Sequence, residues 1–224
     1  MSIFDEKPVT TFHNKPVGNL SRRHFIKLIS IAGGGLSLGV HLEGGAERGY
    51  KGSELSAYVQ ILASNKVIIA AKTPEIGQGV KTSLPMIVAE ALDVNWSQVE
   101  VVQSAIDNER YGSQYAGGSY SVAENWQGLR QAGASVRALL LQTAANNWAV
   151  DTASCSTSGG QVFHAASGRS ASYGTLAESA AKLTLPAVES LVFKTPDQYT
   201  ILGKRISGVD NHDIVTGKPL FGID

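Results

Sequence analysis

Apolar and polar residues change rhythm several times along this chain, and each rhythm predicts an element. Ala57-Tyr58-Val59-Gln60-Ile61-Leu62-Ala63 and Lys66-Val67-Ile68-Ile69-Ala70-Ala71 are β-rich runs on either side of Ser64-Asn65, which predicts a hairpin. Further on, Leu84, Ile87, Val88 and Ala91 fall at helical spacing, so one face of a helix there is expected to be buried. Ser83 reads as its N-cap, with Pro85 tolerated in the first turn and Glu90 facing solvent. Asp93 to Ser97 turns the chain, and Val99, Val101 and Gln103 alternate with Glu100 and Val102 in a predicted strand. A loop over 104–118 precedes the longest helix, in which Val122, Trp126, Leu129, Gly133, Val136 and Leu140 recur every three or four residues. Ser121 and Glu124 have capping-box spacing, so this helix is expected to run from near Val122 to near Ala149. Its middle, Ala132 to Ser135, is thin enough for another backbone to pack closely.

Small strands are predicted between Cys155 and Tyr173, joined at Ser158-Gly159-Gly160 and Ser167-Gly168-Arg169. Thr175 and Glu178 form a second capping-box pair, opening a short helix to about Lys182. From Leu183 onward the chain reads as loop, interrupted by Pro186, Pro196 and Pro219. The fold class is therefore α+β: small mixed β-sheets with packed helices, one of them long.

The ends have a different character. Residues 1–20 are polar, carry Pro8 and Pro16, and read as a mobile tail. Ser21-Arg22-Arg23-His24-Phe25-Ile26-Lys27 leads into a Gly-rich, weakly apolar run ending at Val40. Residues 21–43 therefore resemble a twin-arginine export signal, the alternative being an amphipathic N-terminal helix. The run is short and glycine-rich for a transmembrane helix. No small-x-small cleavage site follows, which leaves room for the segment to stay attached as an anchor. Gly44 to Gly52 reads as a linker.

Composition removes several function classes. With 19 basic and 19 acidic residues in balance, nothing points to nucleic acid. Cys155 is the single cysteine, which excludes an internal disulfide framework, a Cys-based zinc site and a Cys-ligated iron–sulfur cluster within the chain. It reads as a small, partly buried residue, and His164 as a packing or surface residue. The histidines lack ligand spacing, so no side chain is assigned to a metal.

Two loops carry candidate chemistry. In Thr73-Pro74-Glu75-Ile76-Gly77-Gln78-Gly79 a glutamine sits between two glycines after a strand and before a helix. Such glycines permit φ > 0 and close approach of a ligand, and the Gln78 amide can bind an oxo group or an oxyanion without adding charge. The plainer reading is a strand-to-helix turn. Gly117-Gly118-Ser119 stands just before the long helix, where backbone N–H groups attract phosphate; a simple Gly-rich lead into the helix is the alternative.

Together these stretches carry a resemblance. Glu75-Ile76-Gly77-Gln78-Gly79, Leu84 to Asp93, Trp96-Ser97-Gln98-Val99, Gly117-Gly118-Ser119, Leu129 to Ala134 and Thr216 to Asp224 occur in the order found in one family. Over residues 21–224 the chain resembles the N-terminal third of the molybdopterin-binding large subunit of the xanthine dehydrogenase and aldehyde oxidase family. Within that family the branch it resembles is that of the isoquinoline 1-oxidoreductase beta subunits.

The resemblance implies a molybdenum–molybdopterin cofactor, in its plain or cytosine dinucleotide form, with Gln78 touching the apical oxo ligand and Gly77 and Gly79 shaping the loop. It places Gly117, Gly118 and Ser119 against the pterin or its phosphate. It implies a partial molybdopterin-binding domain over 44–200, then a linker and the first strand of a hammerhead α/β domain over 201–224. It further implies a small [2Fe–2S] partner subunit, a cytochrome acceptor, N-heterocycle or aldehyde substrates, and a periplasmic location beside the inner membrane. The family's glutamate base lies near the C-terminus of a much longer chain; neither Glu75 nor Glu90 matches it, and Glu75 is read as stabilising its loop. Alternatives are a truncated non-catalytic remnant, or an assembly or anion-binding module.

Overall fold

A computed structural model describes residues 53–56 and 58–218. The twin-arginine stretch and the expected hammerhead strand at the C-terminal end lie outside these residues. The first sheet has the order β1-β2-β3-β4, with β1 at Ser53–Ser56, β2 at Val59–Ile61, β3 at Val67–Ala71 and β4 at Val99–Gln103. β2 and β3 form the expected hairpin, pairing Val59 with Ile69 and Ile61 with Val67. β1 adds an antiparallel strand that the apolar pattern did not predict.

β3 and β4 are parallel, pairing Val67 with Val99 and Ala71 with Gln103, and helix α1 (Val80–Leu92) makes the crossover between them. All five residues of β3 are buried, as a strand covered on both faces requires.

Short helix α2 (Asn108–Tyr111) lies within the predicted loop, and α3 spans Ser121–Trp148. α1 packs on β3 on one side and on α3 on the other. The contact is closest at Gly133, where a Cβ would lie 2.5 Å from the Val88 carbonyl oxygen and 2.8 Å from the Ala91 methyl. Val67 and Ile69 of β3, Ile87, Val88 and Leu92 of α1, and Val136, Leu140 and Ala144 of α3 belong to the resulting core.

A second, antiparallel sheet has the order β5-β6-β7 (Ser156–Ser158, Gln161–His164, Arg169–Ser172). It leads into α4 (Tyr173–Ala180), and Asn65 bonds both the Gly160 carbonyl and the Gly174 N–H, tying the first hairpin to this unit. His164 is buried, with Nδ1 2.7 Å from the Ser167 hydroxyl, which makes it a packing residue. The architecture is α+β, with small mixed and antiparallel sheets and one dominant helix.

Several local expectations are corrected. α1 starts at Val80 rather than after Ser83, so Pro85 lies inside the helix. α3 starts at Ser121 with Tyr120 as N-cap, and no side chain closes the expected Ser121–Glu124 box. α4 is capped by Ser172, whose hydroxyl accepts from the Thr175 N–H; Thr175 lies within the first turn instead of capping it.

Glu90 differs most: it is 1% exposed. Its carboxylate accepts from Lys194 Nζ at 2.9 Å and from the N–H groups of Thr200, Ile201 and Leu202 at 2.9, 2.7 and 3.0 Å. The C-terminal stretch folds back to supply these donors, then anchors on the first turns of α1. There Asp210 pairs with Lys81 at 2.6 Å, and the Val209 N–H donates to the Thr82 hydroxyl at 2.9 Å. α5 (Asn211–Val215) follows.

Candidate functional site

Parallel pairing puts the C-terminal ends of β3 and β4 at the same edge of the sheet. The segment 72–79 leaves from one and the segment 104–120 from the other, so both candidate loops emerge together. In open parallel sheets that edge is where ligands bind. Side-chain amides bridge the two exits. Gln103 Nε2 donates to the Ala71 carbonyl at 2.8 Å and the Thr73 carbonyl at 3.2 Å; Gln114 Nε2 reaches the Lys72 carbonyl at 3.0 Å and the Ser104 hydroxyl at 3.0 Å.

The first loop is built on Glu75. Its Oε1 accepts from the N–H groups of Gly77 (2.8 Å) and Gly79 (2.9 Å), and its Oε2 accepts from that of Lys81 (2.9 Å). Gly77 and Gly79 have φ of 101° and 82°, the left-handed region where a side chain is strained. A helix start leaves its first N–H groups unpaired and favours a negative charge; at α1 the carboxylate of Glu75 fills that place. Partial burial pushes the Glu75 pKa up, but the N–H donors of Lys81, Gly79, Gly77 and Gln78 outweigh it and hold the carboxyl below its ordinary value.

Gln78 is exposed at the tip, and its amide is held by its own loop. Oε1 accepts from the Ile76 N–H at 2.7 Å, and Nε2 donates to the Pro74 carbonyl at 3.0 Å. A primary amide has two N–H hydrogens, so one is left to donate to something outside the loop. Backbone contacts therefore fix the amide plane before any ligand arrives.

The second loop ends in Gly118 and Ser119, both left-handed at φ of 59° and 60°. Tyr115 and Tyr120 cover the glycines: a Cβ on Gly117 would run into the Tyr115 ring, and one on Gly118 would lie 2.7 Å from the Tyr120 ring. Both rings are themselves exposed. Among the described residues no side-chain oxygen caps the start of α3, in contrast to α1. Of the two helix starts flanking this edge, one is filled by an internal carboxylate and the other has no side-chain cap among the described residues.

Gly77, Gln78 and Gly79 on one side and Gly117, Gly118 and Ser119 on the other thus share an edge, without a direct hydrogen bond between Gln78 and Ser119. At the same edge, just past the end of β3, stands Lys72, which is 8% exposed. Its ammonium makes no hydrogen bond or ion pair among the described residues; it lies 3.9 Å from where a Gly112 Cβ would be and feels the charge of Glu124. Burial lowers its pKa, against the raising effect of Glu124. The spare N–H of Gln78 suits a metal-bound oxygen and the uncapped α3 suits a phosphate, so these residues fit a molybdopterin cofactor. Lys72 and Gln114 were not among the sequence candidates. The one available signal was Lys72 extending the period-two face of Ile68 and Ala70 past the strand end.

Residues 23–217 match the family model described as a molybdopterin cofactor-binding domain. Among curated proteins, the chain is 30% identical over 206 residues to isoquinoline 1-oxidoreductase subunit beta of Brevundimonas diminuta, covering 75% of this chain and 26% of that protein. It is 24% identical over 220 residues to a membrane-bound aldehyde dehydrogenase [pyrroloquinoline-quinone] of Gluconacetobacter polyoxogenes, covering 92% and 28% respectively. The chain thus spans about a quarter of the length of these curated relatives.

Solved structures similar to it include quinoline 2-oxidoreductase from Pseudomonas putida 86, at 21% identity and a TM-score of 0.42, covering 54% of this chain and 15% of that one. Another is the Cu,Mo-CO dehydrogenase in its carbon monoxide reduced state, at 20% identity and a TM-score of 0.46, with coverage of 54% and 15%. With the family model spanning nearly all of the described residues, the chain belongs to the molybdopterin cofactor-binding domain family.

Proposed function

We propose that this chain forms one wall of the molybdenum–molybdopterin site in the large subunit of an oxidoreductase that hydroxylates its substrate. The observation that carries the reading is the Gln78 amide, held by Pro74 and Ile76 with one N–H to spare, at the sheet edge it shares with the uncapped start of α3. In this reading Gln78 would donate to a metal-bound oxygen of the cofactor, Gly77 and Gly79 would set the loop, and Gly117, Gly118 and Ser119 would hold the pterin or its phosphate. A neutral amide orients and polarises without changing the charge of the centre. The cofactor supplies the redox chemistry when bound, with water as the oxygen source; the protein supplies binding and orientation.

Neither nearby carboxylate is free to act as a base. Glu75 spends both oxygens on backbone N–H groups, and Glu90 is sealed among five donors. In this reading a base and the rest of the pocket come from outside these residues, and the 224-residue chain by itself is expected to lack turnover. N-heterocycles or aldehydes are the proposed substrates, in keeping with the names of the two curated relatives. We further propose that the cofactor is in its plain or cytosine dinucleotide form, and that electrons leave through [2Fe–2S] clusters on a small partner subunit toward an acceptor such as a cytochrome; the lone Cys155 agrees with clusters residing elsewhere. Twin-arginine export to the periplasm, with attachment to the inner membrane, rests on Arg22, Arg23 and the apolar run after them.

The test is Gln78→Ala in the cofactor-loaded, full-length enzyme. The expected result is a loss of kcat of about 10–100-fold with molybdenum content retained, the usual effect of deleting a hydrogen bond around a metal's ligands. Unchanged turnover of an N-heterocycle or aldehyde overturns the role of Gln78. A chain that binds phosphate but never acquires molybdenum would support the anion-binding module instead.

A further inference from the structure

The Glu75 carboxylate is placed to do more than complete a turn. It accepts from three N–H groups that bracket Gln78 in sequence: Gly77 before it, Gly79 after it, and Lys81 in the first turn of α1. The two bonds that fix the Gln78 amide come from this same loop, through the Ile76 N–H and the Pro74 carbonyl. Two of the loop residues are glycines at positive φ with open space where a Cβ would be, so side-chain crowding restrains neither of them. Without the carboxylate, three donors lose their acceptor and the glycines regain their conformational freedom. The vacated start of α1 would also become a seat for an exogenous anion within reach of Gln78.

We infer that Glu75 is the positioning residue for Gln78, its carboxylate fixing the direction of the spare amide N–H and closing the start of α1 to anions. This rests on the proposed role of Gln78 at the cofactor. The chemistry sets what can replace it. A small carboxylate such as formate, occupying the seat left by Glu75→Ala, restores acceptors for the same N–H groups. Glu75→Gln keeps the shape but loses one accepting oxygen, so its effect is intermediate.

The test combines amide hydrogen exchange over residues 76–82 with steady-state kinetics in the cofactor-loaded, full-length enzyme. Glu75→Ala should raise exchange across the loop and lower kcat by about 10–100-fold, with KM for the organic substrate little changed. Adding Gln78→Ala should lower kcat no further, because both changes remove one interaction. Formate should recover both loop protection and kcat in Glu75→Ala, and neither in Gln78→Ala. If Gln78→Ala lowers kcat while Glu75→Ala raises exchange and leaves kcat intact, Glu75 is merely structural and the inference fails alone. If Gln78→Ala is silent, the reading of Gln78 fails and the positioning role falls with it. Should Glu75→Ala not fold, Glu75→Gln carries the same comparison.

Discussion

At the residue scale, Lys72 and Glu90 show how differently a buried charge can be treated. Glu90 is surrounded by five donors, whereas among the described residues Lys72 has only the charge of Glu124 to offset its desolvation. A lysine whose pKa is lowered on folding binds protons more strongly in the unfolded chain. It therefore costs stability at neutral pH, and the cost fades as pH rises from its lowered value toward 10.5. Lys72→Met should raise the melting temperature at pH 7, by roughly 2–4 °C for each kcal/mol recovered, and the gain should shrink at alkaline pH. A melting series across pH checks both statements; a lower melting temperature at pH 7 would mean the ammonium has a partner in solution. Neither environment was legible in the sequence. Glu90 sits on the amphipathic helix of Leu84, Ile87 and Val88 where a solvated carboxylate was expected, and its partners come from a stretch that reads as loop.

Elements formed where the pattern was strong and shifted where a distant side chain set the boundary. The buried run of β3, the Ser64-Asn65 turn and the end of α3 match the residue rhythm. α1 begins earlier than expected because its cap is the Glu75 carboxylate, reaching in from the preceding loop, which no local cap signature records. The thin middle of α3 was legible, and its partner proves to be α1. Two glycines on α3 give a paired test. A Cβ at Gly128 meets nothing within 4 Å, so Gly128→Ala should stabilise by about 0.5–1 kcal/mol through helix propensity. At Gly133 the same propensity gain is opposed by the Val88 carbonyl, a backbone group that must move, so Gly133→Ala should destabilise by about 1 kcal/mol net. Urea midpoints of the two variants should shift in opposite directions, and a shared direction would refute the close α1–α3 contact.

For the molecule as a whole, two structural carboxylates set the acid limit. Glu75 and Glu90 both lie below their ordinary values: burial alone would raise each, and hydrogen bonds from backbone N–H groups, with Lys194 at Glu90, outweigh it. A depressed carboxyl contributes stability above its unfolded value of 4.5, and that contribution is lost as pH falls through the lower folded value. Denaturation midpoints should therefore drop below about pH 4.5, and Glu90→Gln should be less stable at neutral pH with a flatter acid slope. An equal slope in the variant would remove Glu90 from the account. The candidate edge was legible as two glycine-bearing loops; their meeting there depends on β3–β4 pairing, which no single stretch encodes. The same Glu90 clamp bears on how the protein is made. Its backbone donors lie 110 to 112 residues further along, so at ribosomal speeds of roughly 5–20 residues per second the carboxylate waits on the order of ten seconds for them. Until then a nascent chain has nowhere dry to put that charge, and a product released before Leu202 carries its own mark of being unfinished.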